Sequence, residues 1–205
     1  MKYDASTLAL ELEEQISSKM KRSRSAVKKA LDYALERQDA FTKALHKKGK
    51  EIMGAHDPEK PLVIVTGRPY NLYDDRLNLR LGQQLAKIGV AAMPMDFIDC
   101  GQVDLSDFPN MYWGLGAQIL RTAKVIKDTP NFFGLHITNF SCGADSFLEH
   151  FYKFIMGNKP FLILELDEHS AVAGVMTRLE AFKNVIGNSM RNIKLGFDAD
   201  LKISN

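Results

Sequence analysis

Residues 61–67 read Pro-Leu-Val-Ile-Val-Thr-Gly, an unbroken aliphatic and β-branched run that ends at a glycine. Such a run is typical of a β-strand that is buried on both faces. Three more short apolar runs follow it, at residues 89–93, 132–138 and 161–166. Apolar residues at helical spacing lie between and after these runs, in Asp74–Ile88, Met111–Ile126, Asp145–Met156 and Val172–Ile186, the last ending at the stop signals Gly187 and Asn188. Strands and helices that alternate in this way predict a doubly wound α/β domain over residues 58–205, with a mainly parallel sheet of about four strands.

The segment before this domain is basic and helical. Eleven Lys or Arg residues and three acidic residues lie between Lys19 and Lys50, so the basic excess of a chain whose net charge is +2 is confined to this segment. No proline interrupts residues 23–54, and we expect a long amphipathic helix there, capped by Ser23 or Ser25. A shorter helix is expected before it, with one apolar face formed by Leu8, Leu12, Ile16 and Met20. The sequence therefore predicts an N-terminal helical segment over residues 1–57, packed outside the α/β domain.

The composition excludes several classes of protein. A chain of 205 residues that is 45% hydrophobic and 25% charged can form a globular core, which excludes full disorder. Its two cysteines, Cys100 and Cys142, exclude a disulfide scaffold and a self-contained site of four thiolates. The longest apolar runs are far shorter than the ~20 residues of a membrane span, so we expect a soluble, cytoplasmic protein. For the basic helix the sequence favours a solvated face over a nucleic-acid site, because no known nucleic-acid-binding motif accompanies it.

The loop after the first strand is a candidate anion site, because ligands of open α/β sheets bind at the carboxyl ends of the strands. It reads Thr-Gly-Arg-Pro-Tyr-Asn at residues 66–71. It lacks the second glycine and the lysine of a P-loop, and it lacks the three glycines of a dinucleotide fingerprint. Arg68 and Asn71 can hold a phosphate or carboxylate beside a helix N-terminus. The alternative is a turn rigidified by Pro69, with Arg68 in solvent.

The loop after the third strand carries Cys142 between a strand end and a helix start, where the helix dipole favours an anionic sulfur. Such a sulfur can act as a nucleophile or ligate a soft metal, whereas the commoner alternative is a buried, inert thiol. Glu168 and His169 follow the fourth strand, and neighbouring third and fourth strands would place them at the same sheet edge as Cys142. This arrangement would allow covalent catalysis or a mixed metal site. We expect His136 to be a core or cross-strand residue and Cys100 to be inert.

Three of these loops together carry a family resemblance. Gly-Arg-Pro-Tyr-Asn at residues 67–71, Asn-Phe-Ser-Cys-Gly at 139–143 and Leu-Asp-Glu-His-Ser at 166–170 resemble the dehydratase-like module of CoA-substrate-specific enzyme activases. The run Thr-Arg-Leu-Glu-Ala-Phe at residues 177–182 is similar to the end of 2-hydroxyacyl-CoA dehydratase and benzoyl-CoA reductase subunits. The resemblance covers roughly residues 60–187, and the order of the motifs makes it specific.

The resemblance implies an α/β module that helps to hold an iron–sulfur cluster in an electron-transfer system of anaerobic metabolism. Cys142 would be the metal ligand, Arg68, Asn71 and Ser141 would form an anion or acyl-CoA site, and the candidate catalytic residues Glu168 and His169 would handle protons. The chain departs from a complete cluster site because it has too few cysteines, so the remaining ligands are expected from a second cysteine-bearing domain or chain. It also has no ATPase phosphate motif, so the expected partner is an ATP-hydrolysing activase domain or subunit.

Two other functions remain open at this stage. One is a small Rossmann-like enzyme in which Cys142 is the nucleophile and His169 is the base. The other is a non-catalytic interaction module that docks to a partner through the basic helix.

Overall fold

The computed structural model describes residues 5–139 and 142–195. The chain divides into two compact units, Met1–Lys48 and Gly49–Asn205. No helix in these described ranges is both long and apolar enough to cross a lipid bilayer.

The first unit is helical, as the apolar spacing predicts. Helix α1 spans Ala5–Leu12 and is followed by a π-helical turn, Glu13–Ser17, and by the short helix α2, Ser18–Met20. The long helix α3 spans Arg24–Ala55, beginning in the first unit and ending in the second. The Ser23 hydroxyl accepts a hydrogen bond from the Ala26 amide at 3.3 Å, which confirms Ser23 as a residue that caps the helix.

The second unit contains a parallel sheet. In the described residues its strands are β1 (Leu62–Gly67), β2 (Ala91–Pro94), β3 (Phe132–Asn139) and β4 (Phe161–Leu166). They lie in the order β2-β1-β3-β4, and every adjacent pair is parallel. The four apolar runs of the sequence are therefore the four strands, and the α/β fold class is confirmed.

Helices cover both faces of this sheet. Helices α5 (Leu81–Lys87) and α8 (Val172–Lys194) bury Val63 and Val65 of β1 on one face. Helices α6 (Gly114–Asp128) and α7 (Gly143–Met156) bury Leu62 and Ile64 on the other. Successive strand residues point to opposite faces, so a strand covered on both faces is apolar throughout. The sheet is doubly wound, as predicted.

The predicted helix Asp74–Ile88 is wrong in its first half. The structure has a five-residue helix, α4 (Pro69–Tyr73), then a turn over residues 74–80, and only then α5. The Asp74 carboxylate accepts hydrogen bonds from the amides of Arg76 and Leu77 at 2.9 and 3.0 Å. Side-chain bonds of this kind satisfy the backbone locally and compete with a helix.

The predicted end of the last helix is also wrong. Helix α8 continues past Gly187 and Asn188 to Lys194. Ile186 and Met190 are both buried in the core on the α5 face of the sheet. A glycine inside a helix costs about 1 kcal/mol relative to alanine, and burial of an apolar side chain such as Met190 contributes about 1.5–3 kcal/mol. Tertiary packing therefore outweighs the stop signal.

The strand order defines the position of a ligand site. The chain leaves β1 toward β2 on one side and leaves β3 toward β4 on the other. Connections that diverge in this way open a crevice at the carboxyl ends of the two central strands, and ligands of such sheets bind there. The loops at this position are those that follow β1 and β3, which carry Arg68 and Cys142.

Candidate functional site

The last residue of β1, Gly67, has no side chain, and the neighbouring strand leaves no room for one. A Cβ atom at this position would lie 2.7 Å from the Ile137 carbonyl oxygen of β3. The next residue, Arg68, is extended and precedes Pro69, which occupies the first position of α4. The fixed φ of proline suits that position. The loop therefore leaves the sheet in one defined direction, which brings the Arg68 side chain over the end of β3.

The Arg68 guanidinium joins the loops that follow β1 and β3. Its Nε donates to Asp145 Oδ1 at 2.9 Å, and its Nη2 donates to Cys142 Sγ at 3.0 Å. The side chains of Arg68 and Asp145 are 22% and 2% exposed. Burial alone would lower the pKa of Arg68, but the hydrogen bond and charge of Asp145 outweigh it, so the pKa is raised. The guanidinium carbon also lies 5.2 Å from the centre of the Trp113 ring.

The Asp145 carboxylate fixes the position of the Arg68 guanidinium. It lies in the first turn of α7, where the helix dipole stabilises a carboxylate. Its second oxygen, Oδ2, accepts a hydrogen bond from the Thr138 hydroxyl of β3 at 3.1 Å. The buried carboxylate thus links the sheet, α7 and the guanidinium, and it fixes the position at which Arg68 meets the sulfur.

Cys142 is the N-cap residue of α7 and is partly exposed. Its amide donates to the Asn139 carbonyl at 3.1 Å, and its own carbonyl accepts from the Ser146 amide at 2.9 Å. These bonds place the sulfur at the helix N-terminus beside the guanidinium. Ser141, predicted to be part of the anion site, lies outside the described residues.

Asn71 is buried and connects the same two loops. It is 1% exposed, and its amide nitrogen donates to Asn139 Oδ1 at 2.7 Å. Asn139 is the last residue of β3. The pair fixes the start of α4 against the end of β3, so the structure brings Arg68, Asn71 and Cys142 to one place at the sheet edge.

A polar pair lies in the sheet beneath this site. His136 and Thr66 are cross-strand neighbours of β3 and β1, and His136 Nδ1 lies 3.0 Å from the Thr66 hydroxyl. The imidazole stacks on the Tyr152 ring of α7, with the ring centres 5.2 Å apart. Burial lowers the pKa of His136 to about 4, although the Asp145 charge opposes this shift. His136 is therefore a neutral core residue, as its position in a strand predicts.

Glu168 and His169 lie on the exposed turn that follows β4. Strand β4 is the neighbour of β3 in the sheet. Their side chains are 81% and 83% exposed, and His169 Nε2 lies 3.7 Å from Glu168 Oε1. The Asp167 carboxylate shapes the turn by accepting hydrogen bonds from the His169 amide at 3.0 Å and the Ser170 hydroxyl at 2.8 Å. Among the described residues, the His169 imidazole lies beside the Glu168 carboxylate, and the Cys142 sulfur accepts a hydrogen bond from Arg68.

Cys100 is placed differently from Cys142. It is 6% exposed in the core between the sheet and α6, and its sulfur lies 3.8 Å from the Thr122 hydroxyl. Burial raises the pKa of its thiol, and the Asp99 charge adds to this effect. Cys100 is therefore a buried thiol in its neutral form, as expected.

Sequence reasoning did not identify Asp145, Asn139 or Trp113 as part of this site. An acidic residue three positions after Cys142 in the first turn of a helix was the available signal for Asp145. Asn139 could have been suggested by its place directly after the apolar run at residues 132–138. No local pattern identifies Trp113, because only the fold brings it to Arg68.

Comparison with known families gives one match. Residues 1–98 match the CoA enzyme activase uncharacterised domain (DUF2229). The matched part includes the N-terminal helices, β1, β2 and the loop with Arg68 and Asn71, and it supports a relationship with CoA enzyme activases. No curated protein and no solved structure gave a significant match.

Proposed function

We propose that the chain is a module of a 2-hydroxyacyl-CoA dehydratase/activase type of system, in which Cys142 ligates an iron–sulfur cluster shared with another cysteine-bearing domain or chain. The observation that carries this proposal is the sulfur of the partly exposed Cys142, which accepts a hydrogen bond from Arg68 at the carboxyl end of a doubly wound sheet. The match of residues 1–98 to a CoA enzyme activase domain supports the type of system.

The chemistry of the Cys142 position suits a cluster thiolate. Iron–sulfur clusters are held by cysteine thiolates, and hydrogen bonds to the sulfurs and solvent exposure tune their potentials. The guanidinium gives the sulfur both a hydrogen bond and a positive charge, while Asp145 keeps that charge in position. When bound, a cluster would supply one-electron chemistry, and these residues would hold and orient one of its ligands.

In this proposal the described residues contribute one cluster ligand, Cys142, and not a complete set. Cys100 is buried in the core, and no group of three or more His, Cys, Asp or Glu side chains within residues 5–139 and 142–195 is placed to hold a metal. The proposal therefore requires thiolates from a second domain or chain, which would meet this one at the exposed side of Cys142. An activase ATPase is the proposed electron donor.

The same sheet edge is the proposed acyl-CoA site. Arg68 is a cation at this edge, and the Asn71–Asn139 pair fixes the loop that carries it. Glu168 and His169 lie on the adjacent exposed turn, where solvent can exchange protons with them. We assign them to proton transfer at the edge of the site.

The test is anaerobic reconstitution with iron and sulfide, followed by visible absorption and EPR spectroscopy. It is applied to the chain and to the longest native open reading frame that contains it, each as wild type, Cys142→Ala and Cys100→Ala. We expect cluster signals in the longer form that are lost in Cys142→Ala and kept in Cys100→Ala. A longer form that gains no cluster, or a Cys142→Ala variant that gains the same cluster, would show that the assignment is wrong.

A further inference from the structure

The first unit leaves most of its large apolar side chains at least partly exposed to solvent. Among its described residues, Leu31 is the only apolar side chain that is buried, at 8% exposed. Five others are at least 41% exposed: Leu10, Met20, Tyr33, Leu35 and Phe41. A helical unit of this size cannot form a large core by itself, and exposed apolar side chains that cluster mark interaction sites. The apolar surface of this unit is therefore a candidate docking site.

Part of this surface is a groove of about 510 Å³. One wall is α3, and the other wall is formed by α1, the π-helical turn and α2. The apolar residues that line the two walls include Leu12, Ile16, Met20, Val27, Ala30 and Ala34. Ligand sites of proteins have volumes of about 300–1,000 Å³, so the groove has the size for several side chains of a partner.

The same face of α3 continues beyond the groove. Successive steps of three, four, seven and four residues connect its apolar members, so they share one side of the helix: Val27, Ala30, Ala34, Phe41 and Leu45. Ala30 and Ala34 are exposed, and Phe41 is 59% exposed. From Val27 to Leu45 the face extends over about 27 Å. A long, narrow apolar surface of this kind suits an amphipathic helix, which presents apolar residues at the same spacing.

The charged residues of the groove lining and of this face are basic. Arg22 lines the groove, and Arg37 lies on the face between Ala34 and Phe41. The acidic residues of this part of α3 lie on the opposite side of the helix: Asp32, Glu36 and Asp39. There Asp39 pairs with Lys43 at 2.6 Å. Complementary charge favours one partner over others, so this surface favours a helix with acidic residues beside its apolar ones.

Other occupants are less suited to this surface. Residues 1–48 contain eleven basic and seven acidic residues, so a second copy would bring one unit of net charge +4 against another. Nucleic acid binds cations through its phosphates and would leave the apolar groove uncovered. A helix that binds a membrane lies flat on the surface with its apolar side outward, whereas this groove is a concave surface between two helical walls.

We propose that this surface binds an acidic amphipathic helix of a partner protein. Apolar residues of the partner fill the groove and cover Phe41 and Leu45, while carboxylates beside them meet Arg22 and Arg37. The surface lies in the first unit, whereas Cys142 lies in the second. Binding of this helix is therefore an activity in addition to the one proposed for Cys142.

The test is a titration of the full chain into fluorescently labelled synthetic helices, followed by anisotropy. The probe has about 21 residues, with leucine at the a and d positions of each heptad and glutamate at e and g. One comparison peptide has lysine in place of each glutamate, and another has the probe's composition in an order that forms no apolar face. We expect the probe to bind at least about tenfold more tightly than either comparison peptide. Equal affinity for the probe and either comparison peptide would overturn the proposal.

Replacement of Phe41 locates the binding site. Phe41→Ser should weaken the probe about tenfold, because the partner no longer covers an aromatic side chain there. Phe41 is 59% exposed, so we expect the variant to melt like the wild type. The matched control is Phe154→Ser in α7, where the phenylalanine is 76% exposed, and it should leave the affinity unchanged. A folded Phe41→Ser variant with normal affinity, or a loss of affinity in Phe154→Ser, would contradict this assignment.

Two charge reversals test the role of Arg37. Arg37→Glu should weaken the probe about fivefold or more and strengthen the lysine peptide. Lys43→Glu changes the net charge by the same amount on the opposite side of α3, and it should have little effect on either peptide. Equal losses in the two variants would show that the overall charge of the chain attracts the probe without a specific surface.

Competition and light scattering identify any other occupant. A DNA duplex or vesicles that contain phosphatidylserine should not displace the bound probe, and the chain alone should not form a dimer through Phe41. Displacement by either competitor, or a dimer that dissociates in Phe41→Ser, would assign the surface to that occupant and overturn the proposal. Cys142→Ala should bind the probe with wild-type affinity, and cluster reconstitution should not depend on Phe41. The two proposals can therefore fail separately.

Discussion

Arg68 Nη2 donates a hydrogen bond to Cys142 Sγ at 3.0 Å, although 74 positions separate the two residues in the chain. The contact exists because β1 and β3 are parallel neighbours, so the loops that follow them leave the same edge of the sheet. The guanidinium reaches the sulfur while its Nε stays bound to the buried Asp145. Cys142 thus has a charged hydrogen-bond donor, whereas the donor to the buried Cys100 is the neutral Thr122 hydroxyl.

Alkylation should distinguish the two cysteines. In the native protein we expect iodoacetamide to modify Cys142 at least about tenfold faster than Cys100, because Cys142 is partly exposed whereas burial shields Cys100 and raises the pKa of its thiol. Peptide mass spectrometry over a time course measures both rates in one sample. Unfolding in urea should make the rates similar. Equal rates in the folded chain would contradict the placement of Cys100 in the core.

The Arg68–Asp145 pair should matter for stability. Asp145→Asn removes a 2% exposed carboxylate and leaves a guanidinium that is 22% exposed without its counter-charge. Breaking a buried ion pair from one side costs about 3 kcal/mol in free energy of unfolding, and urea denaturation measures the loss. The matched control is Asp39→Asn, because Asp39 pairs with Lys43 on the surface, where both side chains are more than half exposed. This control should cost less than about 0.5 kcal/mol, and equal losses in the two variants would be inconsistent with the buried pair.

His136 should make the fold sensitive to acid. Burial lowers its pKa to about 4, against 6.5 for the ordinary side chain, so between these values the unfolded chain binds the proton more tightly. The contribution of neutral His136 is therefore complete above about pH 6.5 and is lost as the pH falls toward 4. It amounts to about 3 kcal/mol. Denaturation curves at pH 7 and pH 4 should differ by less in His136→Gln than in the wild type, and an unchanged difference would exclude this role.

The packing of Tyr152 against Gly134 should prevent a larger side chain at position 134. A Cβ atom on Gly134 of β3 would lie 2.2 Å from the Tyr152 hydroxyl, and the Tyr152 side chain is fully buried. Gly134→Ala should therefore destabilise the fold by about 1–3 kcal/mol, as overpacking of a core does, and Tyr152→Phe should recover part of the loss. Gly174→Ala in α8 is the control, because nothing lies within 4 Å of its Cβ position, and it should be neutral or stabilising. Thermal melting of the three single variants and of the double variant Gly134→Ala/Tyr152→Phe tests both statements.

The sequence predicts the sheet well and the site only in part. The strands depend on residues that are close together in the chain, whereas the contacts of the site join residues that are far apart. The apolar runs around Val63 and Leu135 are local and specify buried strands without knowledge of their neighbours. The turn at Asp74 was missed because the two hydrogen bonds that its carboxylate accepts from backbone amides outweigh the helical spacing of the leucines. Asp145 was missed because its partner lies 77 positions away, and only the parallel pairing of β1 with β3 brings them together.

Trp113, the single tryptophan of the chain, should report on the site, because the Arg68 guanidinium carbon lies 5.2 Å from the centre of its ring. The variant Arg68→Ala removes the guanidinium from beside the ring. Quenching of Trp113 fluorescence by acrylamide should therefore increase, since the quencher gains access to the ring. Alkylation of Cys142 in the wild type should have the same direction of effect, because the added group displaces the guanidinium from the sulfur that it contacts. The effect of alkylation should be absent in Cys142→Ser and small in Arg68→Ala, where no guanidinium remains to be moved. If alkylation changes the acrylamide quenching equally in the wild type and in Arg68→Ala, then alkylation of Cys142 affects Trp113 without the Arg68 side chain, and the prediction is wrong.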